Sequence, residues 1–318
     1  MMKKNCFLTA AILFAAATSI VSCTNKTESG TPSGQRTEVQ FTSNIVTVNP
    51  DTRATGNAWD AEDVIGIYMY EENTTNVVES RGNIPYKTEL GGTNGKFAST
   101  STVIYFPDNG NKVRFMAYSP YLGSVSTNGD VFKVNVADQS EQADIDLLYS
   151  FNADAKFDKK TENKKVPLTF IHQLTKVYVH VKAGAGMTND DLQDVVASFS
   201  NFNTKADFNL VNGLWGTQEE PAEIILRSLP DPKADYAACF EAIILPTPGV
   251  STAQMVFDLK NGDTEEGTPN DIFTWPFDQK LEPATQYTFN VTLSRSGIEV
   301  EGTINDWIDT EDKDIVAE

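Results

Sequence analysis

The feature that most constrains this chain is a two-residue apolar rhythm that recurs along nearly all of it. Tyr287, Phe289, Val291 and Leu293 alternate with polar residues, as do Phe132, Val134 and Val136; Val113, Phe115 and Ala117, then Val177, Val179 and Val181, keep the same period. A period of two puts one face of a strand against a core and the other toward water. Strand candidates are Val39–Val48, Val64–Tyr70, Val103–Phe106, Lys112–Tyr118, Val131–Ala137 and Leu168–Val181. Glu223–Leu229, Cys239–Leu245, Met255–Leu259, Gln286–Leu293 and Ile298–Ile304 follow. Gly, Pro and Asn turns separate them, as at Asn49-Pro50-Asp51 and Asn109-Gly110. Leu192, Val195, Val196 and Phe199 also fit a helical face after Thr188-Asn189-Asp190, although Phe199–Asn209 reads as strand and turn. Without βαβ alternation the expected fold is all-β, mainly antiparallel, of sandwich type.

The N-terminus follows other rules. Lys3 and Lys4 precede an uncharged apolar run, Cys6–Ser22. That run falls short of the ~20 residues needed to span hydrocarbon and suits a signal peptide. It ends Ile20-Val21-Ser22-Cys23, which resembles a lipobox. The expectation is a signal peptide over residues 1–22 and a diacylglycerol on Cys23, which becomes the first residue and ties the chain to a membrane. Several acyl chains anchor stably where one does not. Residues 24–38, rich in Ser, Thr and Gly, read as a tether.

What remains, about 300 residues, exceeds one ordinary sandwich domain, so two are expected. The charged, non-apolar stretch Asp158–Lys165 marks a boundary, although it also suits a hairpin tip within one domain. The formal charge is −19 and falls by two more when the signal lysines leave. Such a chain repels nucleic acid and anionic lipid surfaces, so no nucleic-acid partner is expected. Cys239 sits in the apolar setting Ala237-Ala238-Cys239-Phe240, as a buried structural thiol does. The CxxC spacing of a zinc site is absent.

Little here carries catalytic or cofactor chemistry. GxSxG, HExxH and phosphate-binding glycine loops are missing. His172 and His180 lie eight residues apart; on one straight strand that is ~26 Å, too far to share a metal. The acidic run Asp309–Asp314 lacks the glycine and closing Glu of an EF-hand loop. Neither an enzyme nor a cofactor is expected. A carboxylate hydrolase would need a cleft with two convergent acids. Trp59, Trp215, Trp275 and Trp307 could form a sugar platform, which keeps a non-polymerising, glycan-binding surface lipoprotein as the alternative.

Several segments, in order, resemble the fimbrillin family, the subunits of type V pili. They are Thr52-Arg53-Ala54, Trp59–Tyr68, Ile104–Pro107, Val113–Tyr121, Asp146–Tyr149 and Leu168–Val177, then Leu281, Tyr287–Leu293, Gly297-Ile298 and Trp307. The resemblance implies two tandem transthyretin-like β-sandwich domains, lipoprotein export to the cell outer membrane and surface, and a structural or adhesive role in fimbriae. It also implies proteolytic processing between Arg53 and Ala54, with Arg36 a less well placed competitor. Residues 23–53 are then a lipidated tether with a removable first strand, 54–163 the first sandwich and 164–318 the second. The implied partners are other pilus subunits through strand exchange, the membrane through Cys23, and a host or bacterial surface receptor. The acidic tail Asp306–Glu318 makes a poor donor for an apolar groove, which favours a tip or accessory subunit over a stalk subunit.

Overall fold

The computed structural model describes residues 36–45, 58–125, 130–152, 156–158, 165–230, 232–262 and 270–306. Its first eight strands are β1 (Gln40–Ile45), β2 (Val64–Glu71), β3 (Ile84–Thr88), β4 (Asn94–Ser99), β5 (Val113–Ser119), β6 (Val131–Asn135), β7 (Leu148–Phe151) and β8 (Lys165–His172). All but β6 close into a barrel in the order β1-β4-β3-β2-β5-β7-β8. The ring closes because β1 pairs antiparallel with β4 and parallel with β8.

β2 and β5 carry apolar or aromatic residues at most positions of both faces. Ile65, Ile67 and Met69 of β2 fill the barrel with Val113, Phe115 and Ala117 of β5. The intervening Tyr68, Tyr70, Met116 and Tyr118 join the second core instead. These strands are thus buried on both faces, as such a pattern implies. The tyrosines bring their own hydrogen bonds: Tyr118 Oη donates to Asn83 Oδ1 at 2.8 Å and Tyr149 Oη to the Leu210 carbonyl at 2.9 Å. Burial raises the pKa of both phenols. Gly66 permits this packing, since a Cβ there would lie 2.4 Å from the Tyr118 ring.

The remaining strands are β9 (Thr175–Ala183), β10 (Val196–Asn209), β11 (Leu214–Ile225), β12 (Arg227–Ser228), β13 (Ala238–Ile244), β14 (Gln254–Asp258), β15 (Ile272–Pro276), β16 (Thr285–Ser294) and β17 (Gly297–Asp306). One sheet runs β11-β10-β14-β15, with β6 also on β10; the other runs β12-β13-β9-β16-β17. Their facing sides share one core, where Phe277 meets Phe199 at 5.3 Å and Phe289 at 5.2 Å between ring centres. Of the strand pairs among the described residues, β1–β8 and β9–β16 are parallel and the rest antiparallel.

The fold is all-β and mainly antiparallel, as the rhythm predicts, and Ile65, Ile67, Phe115, Val177, Val179, Phe289 and Val291 are all buried. The helical option near Leu192 shrinks to one short turn, Asn189–Leu192, closed by a reciprocal Thr188–Asp191 capping box, before β10 begins. The long candidate Leu168–Val181 is two strands: the chain turns at Gln173-Leu174, leaving β8 in the barrel and β9 in the second half. The expectation of separable domains divided between residues 163 and 164 concerns independent folding and stays a proposal. The strands interleave across that point, because β6 precedes it and pairs with β10 while β8 follows it and completes the barrel.

Candidate functional site

β1 is the first described strand in the chain, yet it occupies a central place in its sheet. Phe41, Thr42, Ser43 and Asn44 face Phe97, Lys96, Gly95 and Asn94 of β4, and Gln40–Ile45 runs alongside Lys165–Phe170 of β8. The backbone just before it is also fixed. The Val39 amide donates to the Ile104 carbonyl at 3.0 Å, and the Phe106 amide to Thr37 at 2.9 Å. The strand is therefore bonded along both flanks.

Its side chains split by parity. Val39, Phe41, Ser43 and Ile45 point into the barrel and are 1 to 6% exposed. Gln40 and Asn44 point outward and are exposed. Phe41 makes edge-to-face contacts with Tyr86 and Phe115 at 5.1 and 5.2 Å, the geometry aromatic quadrupoles prefer. Ser43 is the polar exception, and its hydroxyl donates to the Gly95 carbonyl at 3.4 Å. Gly95 leaves room for it, since a Cβ there would lie 2.7 Å from both Ser43 Oγ and Trp59 Cδ1. Burying Val, Phe and Ile contributes roughly 1.5–3 kcal/mol each, so the three anchors together contribute roughly 5–9 kcal/mol. That rivals the ~5–15 kcal/mol stability of a whole domain. The inward face predicted from Val39, Phe41 and Ile45 is the observed one; Val46 and Val48, which carried the opposite option, lie outside the described residues.

Cys23, Arg53 and Ala54 also lie outside the described residues. Arg53 stands in sequence between β1 and β2, so a cut after it would separate β1 covalently from the rest of the barrel. The competitor Arg36 pairs with Glu79, approaches Asp108 at 3.6 Å, and lies over the Tyr105 ring at 5.2 Å. These contacts hold it against the barrel wall.

The other sequence candidates do not assemble into a site. His172 belongs to β8, with Nδ1 2.9 Å from Asp146 Oδ1, while His180 belongs to β9, with Nδ1 3.2 Å from Asn290 Oδ1. Because the chain turns between them, the assumption of one straight strand fails. Among the described residues no cluster of three or more His, Cys, Asp or Glu could hold a metal. Cys239 is buried, and burial raises its thiol pKa, as for a structural thiol. Trp59 is buried between Phe97 and Phe170, and Trp215 and Trp275 pack against the second core. These three form no exposed coplanar platform, and Trp307 is not among the described residues. Sequence reasoning missed Ser43 and Gly95; Asn94-Gly95 looks like a turn, and only the pairing partner reveals a strand.

Comparison with known proteins places this geometry in context. The model of a family described as fimbrillin-like matches residues 52–307. The chain is 32% identical over 285 residues to the "Putative fimbrium subunit Fim1C" of Bacteroides uniformis, covering 87% of this chain and 86% of that one. A crystal structure of a "putative cell adhesion protein" from the same species is similar at a TM-score of 0.68 and 30% identity, covering 87% of this chain and all of that one. Another from Bacteroides ovatus, at 19% identity and a TM-score of 0.64 over the same share of this chain, shares the fold.

Proposed function

The chain belongs to the fimbrillin-like family, and from that premise we propose that it is a structural or adhesive subunit of cell-surface fimbriae, assembled by strand exchange at the slot now held by β1. The observation that carries this reading is the double pairing of β1. Taking out an edge strand leaves a smaller sheet, whereas taking out β1 opens the ring and exposes two unpaired edges and an apolar groove. An exposed edge with alternating side-chain pockets recruits a strand from another chain. The role in this proposal is structural, and none of its steps needs catalysis by this chain.

The proposal has a sequence of steps. Export as a lipoprotein places Cys23 at the outer membrane. A protease then cuts between Arg53 and Ala54, and β1 becomes replaceable by a strand of a neighbouring subunit. The acidic content of Asp306–Glu318 suits a tip or accessory position, where this chain accepts a strand and meets a surface receptor.

The test is digestion of the purified precursor with an Arg-specific protease, followed by sequencing of the new N-terminus. Supporting results are a start at Ala54, a lower melting temperature and newly formed oligomers. Resistance at Arg53, or a cut protein that remains a stable monomer and ignores added strands, would overturn strand exchange and leave a non-polymerising surface lipoprotein.

A further inference from the structure

At the end of the β1 slot lies a cavity of about 80 Å3, with Ile45 as one wall and Trp59, Asp60, Asp63, Gln142 and Asp146 among the others. Two of these carry buried polar atoms without a hydrogen-bond partner in the protein: the Trp59 indole Nε1, a donor, and Gln142 Oε1, an acceptor. Both residues are more than nine-tenths buried, at 2 and 5% exposure. Their orientations are fixed by neighbours. Phe97 and Phe170 hold the Trp59 ring edge-to-face, and Gln142 Nε2 donates to Gln139 Oε1 at 3.2 Å, which directs its carbonyl elsewhere. A buried polar group left unpaired is costly, so such groups mark places where a partner belongs.

Among the described lining residues the formal charge has one sign. Asp60, Asp63 and Asp146 line the cavity, and no lysine or arginine among the described residues does. Asp63 accepts the Asp60 amide at 2.7 Å, and Asp146 is bonded to His172. A carboxylate-lined cleft with a free amide oxygen accepts N–H donors, and an ammonium or guanidinium supplies them with a compensating charge.

We propose that this cavity is a specificity pocket for the incoming strand, and that the occupant is a Lys or Arg side chain from the neighbouring subunit. This rests on the strand-exchange reading above and adds the chemistry of the partner. Any strand in the place of β1 points every second residue inward. Its first inward residue past the Ile45 position is directed toward the pocket, whichever way the strand runs. The cation satisfies Gln142 Oε1 and the carboxylates, and a carbonyl of the same strand accepts from Trp59 Nε1. The selectivity is two-sided, because an acidic residue there would meet three carboxylates.

The test uses the full chain cut after Arg53, with β1 still seated, and fluorescent peptides of sequence 37–49. One carries Thr47→Arg and the other Thr47→Glu, the position two past Ile45. The readout is displacement of the native segment against peptide concentration. The Arg peptide is expected to displace β1 at least about tenfold more effectively at low salt, where unscreened charge acts. That preference should collapse in Gln142→Met and in Asp60→Asn, the latter altering an exposed pocket rim. Equal displacement by both peptides, or a preference unchanged in both variants, would overturn the pocket while leaving strand exchange standing. If the chain is cut and neither peptide enters, strand exchange itself fails.

Discussion

Lys176 is 2% exposed and sits 3.2 Å from Glu241, whose other carboxylate oxygen accepts from Arg227. Burial works to raise the Glu241 pKa, but Lys176 and Arg227 outweigh it and hold the carboxyl below its ordinary 4.5. A carboxyl depressed by folding stabilises the native state fully above its unfolded value, and the contribution fades as pH falls through the folded one. Glu241→Gln is therefore expected to cost about 3–5 kcal/mol at pH 7, because it strands a buried ammonium. The deficit relative to the parent should shrink below about pH 4.5, where the parent loses the same contribution. Urea denaturation at neutral and acidic pH checks both. Phe41→Ala removes the central anchor of β1 and should cost about 3–5 kcal/mol, read in the same way.

At the scale of elements, the tightest constraint on β1 comes from a residue opposite it. A Cβ at Gly95 would lie 2.7 Å from Ser43 Oγ, so Gly95→Ala overfills the slot and should cost about 1–3 kcal/mol. Hydrogen exchange should show faster amides across Gln40–Ile45, with β9 and β16 unchanged; a uniform acceleration would contradict a local slot. The same pair of strands shows what the sequence makes legible. β1 could be read because Val39, Phe41 and Ile45 alternate and their turn follows. β4 escaped because only Phe97 and Ala98 are apolar, and Asn94-Gly95 imitates a turn. β3, β7 and β15 escaped for a related reason: each has five residues or fewer, and pairing with neighbours, on both sides for β3 and β7 and on one side for β15, holds them more than any rhythm of their own. Val103–Phe106 errs in the other direction. Ile104 and Phe106 are buried, yet the segment contributes only a single bridge, Tyr105 to Glu38. The cavity beyond Ile45 had no signal in sequence, since Gln142 and Trp59 lie 83 positions apart and meet only through the fold.

For the whole molecule, the proposed attachment at Cys23 and the proposed exchange of β1 lie toward the same end of the chain. Cys23→Ala should move the protein from the detergent to the aqueous phase in a two-phase partition; partition unchanged from the parent would sink lipidation as the anchor. The formal charge of −19 opposes unspecific clustering of copies, so association must come from a defined site. The double pairing of β1 also has a mechanical meaning. A strand peeled sideways from a sheet edge gives up its hydrogen bonds one at a time, like a zip. A strand bonded along both flanks and pulled along its own axis loads all of them together, in shear. The β1 slot thus grips its occupant hardest along the line in which a fibre under tension would pull.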